Sequence, residues 1–169
     1  MRREASRERP PCLCACDGRV LHSQRDDDPR EELMGAPDRP TSDSDSEAWW
    51  AAVQDHTLNV NTCGSCRRNS LYPRPFCPHC WSEDVTLVPA SGHATLYTWT
   101  VVHQNAAPFD ARLPYVVAMV DLAEGPRMMT VIENCPLDDL QAGLELTVDF
   151  RHDDDGFVVP VFTPAGVDR

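Results

Sequence analysis

Two Cys-x-x-Cys pairs, Cys63-Gly64-Ser65-Cys66 and Cys77-Pro78-His79-Cys80, stand ten residues apart. Each pair places two sulfurs on one tight turn, and an excursion of that length returns the second turn beside the first. Four thiolates then converge on one tetrahedral point, the donor set of a closed structural Zn²⁺ site. The same donors suit iron in a small electron carrier, so zinc is the expected metal and iron the rival. Four protein ligands leave no open position for a metal-bound water, and metal-assisted hydrolysis is not expected. His79, inside the second pair, reads as a solvent-facing turn residue.

The other reactive residue types form no constellation. Cys135 is isolated after Asn134, and His93, His103 and His152 lie on separate segments. There is no Gly-rich phosphate loop, no Gly-x-Ser-x-Gly elbow and no paired-His metal motif in the chain. Asp153-Asp154-Asp155 lacks the spaced oxygen ligands and terminal Glu of a Ca²⁺ loop and reads as a solvated turn. Cys12, Cys14 and Cys16 alternate without a second cluster and read as incidental.

Composition narrows the function classes. The 169 residues allow one ordinary domain or two small ones, and they carry 15 basic against 27 acidic side chains for a net charge of −12. Every basic residue is Arg. After residue 44 there are seven Arg against 17 Asp plus Glu. That balance disfavours a nucleic-acid-binding ribbon or barrel, which needs a basic face against phosphate. No apolar run approaches the ~20 residues of a membrane span, and the N-terminus lacks the apolar stretch of a secretory signal. A reducing cytoplasm is the expected compartment, where paired Cys-x-x-Cys motifs hold metal more often than disulfides.

The elements that must position the thiolates follow in order. Residues 1–44 are rich in Arg, Asp, Glu, Pro and Ser and are expected to be a disordered tail, with Met34 a possible alternative start. Ser44 to Glu47 fits a capping box opening a short helix, Glu47 to Gln54, within residues 45–56. Trp49, Trp50 and Val53 share one side of it. That stripe is expected to pack on the chain's own β-domain, with docking of a partner subunit the alternative, since two adjacent Trp exceed what so short a helix needs to bury itself. A zinc ribbon over residues 57–89 is expected next. Its strands run Thr57–Thr62 and Glu83–Pro89, and a hairpin between the Cys pairs would bring Leu71, Tyr72 and Phe76 over the metal. Residues 90–165 then hold five strand-length segments: Ala94–Val102, Tyr115–Leu122, Arg127–Ile132, Leu144–Phe150 and Phe157–Phe162. A short helical turn between the third and fourth completes the layout of a five-stranded OB-type barrel, making the chain mainly β.

The quartet is followed by Ser91-Gly92-His93-Ala94-Thr95-Leu96-Tyr97-Thr98-Trp99-Thr100-Val101-Val102. Then come Pro114 to Gly125 (PYVVAMVDLAEG) and a late Gly143-Leu144-Glu145-Leu146-Thr147-Val148. In this order the segments resemble the OB-fold proteins with a rubredoxin-like zinc ribbon that accompany thiolases and MaoC-like hydratases, over about residues 45–165. The resemblance implies a non-catalytic accessory subunit that binds a thiolase-like, aldolase or MaoC-like hydratase partner and assists acyl-CoA binding in lipid, sterol or polyketide-type metabolism. Arg67 and Trp81 stand where that family commonly has Gly. With CoA as the implied ligand, Arg67, Arg68, Arg74 and Arg112 become candidate phosphate contacts, since a guanidinium fork matches phosphate oxygens. Trp49 and Trp50 remain the candidate partner-binding residues.

Overall fold

The computed structural model describes residues 40–106 and 109–166. The expectations of a disordered tail over most of residues 1–44, of the Cys12-Cys14-Cys16 cluster and of a start at Met34 lie outside the described residues. Helix α1 (Glu47–Gln54) opens the described chain. Strands β1 (Asn59–Cys63), β2 (Asn69–Ser70) and β3 (Val85–Pro89) form a small antiparallel sheet in the order β2-β1-β3. Strands β4 (His93–Val102), β5 (Tyr115–Leu122), β6 (Arg127–Ile132), β7 (Glu145–His152) and β8 (Val158–Pro164) close into a five-stranded barrel in the order β4-β5-β6-β8-β7. The fold is therefore mainly β, with a helix, a zinc-ribbon region and an OB-type barrel.

Alternation writes the barrel. Along β5, Val116, Ala118, Val120 and Leu122 point inward while their neighbours are only half-buried, the period of a pleated strand with one face on the core. The long strand β4 serves both ends of the barrel wall, pairing with β5 through most of its length and with β7 at its start. A register shift between Leu96 and Thr98 bends it enough to do so. The parallel pair β6 and β8 meets at Ile132 and Phe162, and Phe162 is fully buried there.

Helix, ribbon and barrel share one core. Trp49 and Val53 from α1, Leu58, Val60 and Leu71 from the ribbon, and Leu96, Val120, Leu146 and Phe162 from the barrel belong to a single buried cluster. Polar links reinforce it: the Asn69 side-chain amide donates to the Glu124 carbonyl at 2.9 Å, and the Ser91 amide to the Glu124 carboxylate at 2.6 Å. The ribbon is thus fastened to the β5–β6 turn.

Two local expectations are corrected. The helix cap is not the Ser44–Glu47 box. Ser46 is the N-cap and makes no side-chain bond to the helix. Asp43 organises the entry instead. Its carboxylate accepts from the Ser46 amide at 2.9 Å and the Ser46 hydroxyl at 2.6 Å, and its carbonyl accepts from the Glu47 amide at 2.9 Å. An anionic acceptor makes the stronger bonds and displaces the Ser alternative. These bonds, the Ser46 hydroxyl foremost, hold the Asp43 carboxyl below its usual range. The segment between the Cys pairs is also not a hairpin over the metal. Only Asn69–Ser70 pairs with β1; Leu71 turns into the common core, and Tyr72 is 66% exposed. Leu71 gains more by joining the large apolar cluster than by covering a small ribbon.

Candidate metal centre and docking groove

The two Cys turns are built alike. The Arg67 amide donates to the Cys63 carbonyl and the Trp81 amide to the Cys77 carbonyl, both at 2.9 Å. The Cys63 amide reaches the Arg68 carbonyl at 3.1 Å and the Cys77 amide the Ser82 carbonyl at 2.8 Å. Closing such turns carries Arg67 and Trp81 into the left-handed region, with φ of 59° and 63°. That is the region a Gly enters without cost and a residue with Cβ does not. The turns are tied together by the Ser65–Ser82 hydroxyl pair at 2.8 Å and by the Gly64 amide on the Asp84 carbonyl at 2.9 Å. A Cβ on Gly64 would meet the Asp84 carboxylate, so a larger residue there would make that exposed side chain swing aside.

The four sulfurs of Cys63, Cys66, Cys77 and Cys80 lie within 4.8 Å of one another. Cys63 to Cys80 and Cys66 to Cys77 are each 3.6 Å, and none of the four is disulfide-bonded. With metal–sulfur bonds of about 2.3 Å, a tetrahedral site spaces its sulfurs about 3.8 Å apart. The observed separations fit a cation between them. Amides support the charge: Cys66 donates to Cys63 Sγ and His79 to Cys77 Sγ, both at 3.4 Å. The Cys66 amide holds the Cys63 thiol down to about 7. Cys80 is pushed up to about 12: the Ser82 amide lowers it, but burial and the thiols of Cys66, Cys63 and Cys77 outweigh that. Four sulfurs this close cannot all carry charge without a cation, which is the electrostatic form of a metal site. His79 is exposed and stands outside the four-sulfur group.

Arg67 and Trp81 supply a direct check on this turn geometry. Arg67→Gly removes a left-handed Cβ at the cost of extra freedom in the unfolded chain. It is expected to raise stability by up to about 1 kcal/mol, read as a higher midpoint in urea. Trp81→Gly is expected to gain less, because Trp81 stacks on Phe76 with centroids 5.3 Å apart and planes at 14°, and that contact is lost.

The structure separates the candidate arginines. Arg67, Arg68 and Arg74 are exposed on the ribbon. Arg112 lies on a one-turn 3-10 helix leading into β5 and bonds Asp153 at 2.9 Å. Asp153 also takes Arg151 at 3.0 Å, and Arg151 reaches Glu133 at 2.7 Å. Arg112 is therefore committed to a carboxylate network in the barrel and does not join the ribbon arginines.

The paired Trp divide as well. Trp49 is buried in the common core, its indole N–H donates to the Asn59 carbonyl at 2.9 Å, and it also lines the cleft beside Trp50. The adjacent positions on a helix are about 100° apart, so Trp50 stays half-buried. It packs edge-on to Trp49 and against Phe157 at 5.5 Å. Trp50 walls a cleft of about 540 Å³ together with Tyr72, Met128, Met129 and Val159. The cleft is lined by α1, the chain after β2, and strands β6 and β8. Met129 is 65% exposed. Met129 was not picked out from sequence, and Tyr72 was expected over the metal rather than at this cleft. The available signal was the apolar run of β6, Met128-Met129-Thr130-Val131-Ile132, which places apolar side chains on both faces of a strand with only one face in the barrel.

Comparison with known proteins gives the same two modules. A model described as the ChsH2 rubredoxin-like zinc ribbon domain matches residues 50–86, and one described as the ChsH2 C-terminal OB-fold domain matches residues 87–151. The chain is 34% identical over 127 residues to a probable enoyl-CoA hydratase alpha subunit of Thermomonospora curvata, covering 75% of this chain and 40% of that protein. It thus spans well under half of that relative's length. It is 31% identical over 115 residues to a DUF35 domain-containing scaffold protein of Methanocaldococcus jannaschii, covering 64% of this chain and 82% of that one. Among solved structures, one described as an Ltp2-ChsH2(DUF35) aldolase superposes with a TM-score of 0.69 at 34% identity, covering 75% of this chain and 99% of that chain.

Proposed function

This chain belongs to the ChsH2 family of rubredoxin-like zinc ribbons joined to an OB-fold domain, and from that premise we propose that it is a non-catalytic accessory subunit of an acyl-CoA enzyme. Its partner on this reading is a thiolase-like, aldolase or MaoC-like hydratase subunit. The observation that carries the reading is the apolar cleft beside α1. It is rimmed by exposed Tyr72 and Met129, side chains whose exposure costs free energy that a partner surface recovers. The names of the hydratase, scaffold and aldolase relatives support it.

The metal is proposed to be zinc, held by Cys63, Cys66, Cys77 and Cys80. It serves as a staple for a ribbon too small to fold by apolar burial alone. Metal analysis of the purified protein is expected to give one zinc per chain and a colourless solution; a red iron protein overturns zinc. Exposed Arg67, Arg68 and Arg74 are proposed to meet CoA phosphates at the edge of the complex, with Arg112 a lesser contributor because Asp153 already holds it.

Co-expression with a genomic neighbour of thiolase, aldolase or hydratase type tests the assignment. A stable complex that changes the enzyme's acyl-CoA KM or rate is expected. A protein that stays monomeric and leaves that activity unchanged overturns it. Within the complex, Met129→Asp places a charge in the apolar cleft. It is expected to weaken association at least tenfold while leaving zinc content and circular dichroism unchanged. Unaltered copurification removes the cleft from the interface.

A further inference from the structure

His56 and His152 are 96 residues apart in sequence, yet their Nε2 atoms lie 3.0 Å apart. Both side chains are exposed. His56 follows α1 in the left-handed region, φ 57°, with its amide on the Val53 carbonyl at 2.9 Å. His152 is the last residue of β7. The His56 ring sits 5.3 Å from the Phe150 ring and 5.0 Å from the His152 ring. The two rings hydrogen-bond each other, and contacts beside them also join the helix to the barrel. The Gln54 side chain bridges β8, donating to the Val158 carbonyl at 3.1 Å and accepting from the Val158 amide at 3.0 Å, and Trp50 packs on Phe157. These neighbouring contacts and the ring–ring hydrogen bond together hold the two imidazoles against each other.

Two imidazole nitrogens bound to one cation at about 2.0–2.1 Å stand about 2.9 Å apart when mutually perpendicular and about 3.4 Å apart in a tetrahedron. The His56–His152 separation falls within that window. Neutral imidazole is a good donor for zinc, nickel and copper. We propose that His56 and His152 form a second, open site for a divalent first-row transition metal, with two Nε2 ligands and water at the remaining positions. Asp153, next in the chain, is engaged by Arg112 and Arg151 and is not used as a ligand. Unlike the closed thiolate site, this one exchanges its metal freely. It joins the end of α1 to the end of β7, so an occupying cation clamps the helix that walls the apolar cleft.

Calorimetric titration of the full chain with Ni²⁺, after its thiolate site has been filled with zinc, tests the site. His152→Ala and His56→Asn are the comparison variants, the Asn chosen because it tolerates the left-handed backbone; unchanged zinc content and circular dichroism verify their folding. The wild type is expected to take up one equivalent of Ni²⁺ that each variant binds at least tenfold more weakly, and to show a rise in melting temperature with Ni²⁺ that neither variant shows. Equal Ni²⁺ uptake and equal melting shifts in wild type and both variants overturn the site, as does a wild type with no saturable uptake.

Discussion

Cys77→Ser is expected to abolish metal binding and the folded ribbon together. Cys77 is 1% exposed and its sulfur is 3.6 Å from that of Cys66. A hydroxyl there is a poor ligand for a soft site, and the three remaining thiols cannot close a tetrahedron. Free energies of about 10–16 kcal/mol attend structural zinc binding in small peptides at neutral pH, comparable to the roughly 5–15 kcal/mol that separates most domains from their unfolded state. Because Leu58, Val60 and Leu71 belong to the same core as the barrel, loss of the ribbon opens one side of that core. The variant is expected to lose zinc by metal analysis, lose its cooperative melt and fail to copurify with a partner. A well-folded, metal-free Cys77→Ser protein that still binds its partner contradicts the staple role.

Phe162→Ala is expected to cost about 3–5 kcal/mol, the range for removing a buried aromatic side chain without collapse of the space around it. Phe162 is fully buried on β8, paired across to Ile132 of β6 and to Val148 of β7. It sits where the parallel pair closes the barrel, so neighbouring strands cannot shift inward without breaking their ladders. The signature differs from that of the Cys variant. The folded fraction retains its metal, but unfolding and metal release move together to lower urea concentration, because barrel and ribbon share one core. Release of the metal at the wild-type urea midpoint, with the barrel already unfolded, would show two independent units and refute the single core.

Much of this was legible in the chain. The helix Glu47–Gln54 and the strands Tyr115–Leu122 and Arg127–Ile132 occur with the expected bounds, because side-chain periodicity and flanking Gly, Pro and Ser mark them locally. The Cys quartet was legible because a tetrahedral thiolate site needs two short turns and little else. The roles of Leu71 and Trp49 were not. Both are apolar residues beside a choice of surfaces, and which surface they cover depends on the core that helix, ribbon and barrel build together.

Spacing and alternation alone thus mark the metal-binding turns and the strands of ribbon and barrel, since each is written within a short stretch, whereas the pairs that close the barrel, His93 with Thr147 and Ile132 with Phe162, are long-range. Assembly in three dimensions buries Trp49 and leaves Trp50 half-exposed beside it at the cleft, ties Arg112 to Asp153, and brings His56 to His152. These pairings join residues 41 to 96 positions apart. No local pattern encodes such distances; they follow from how the helix and the strand ends meet around a common core.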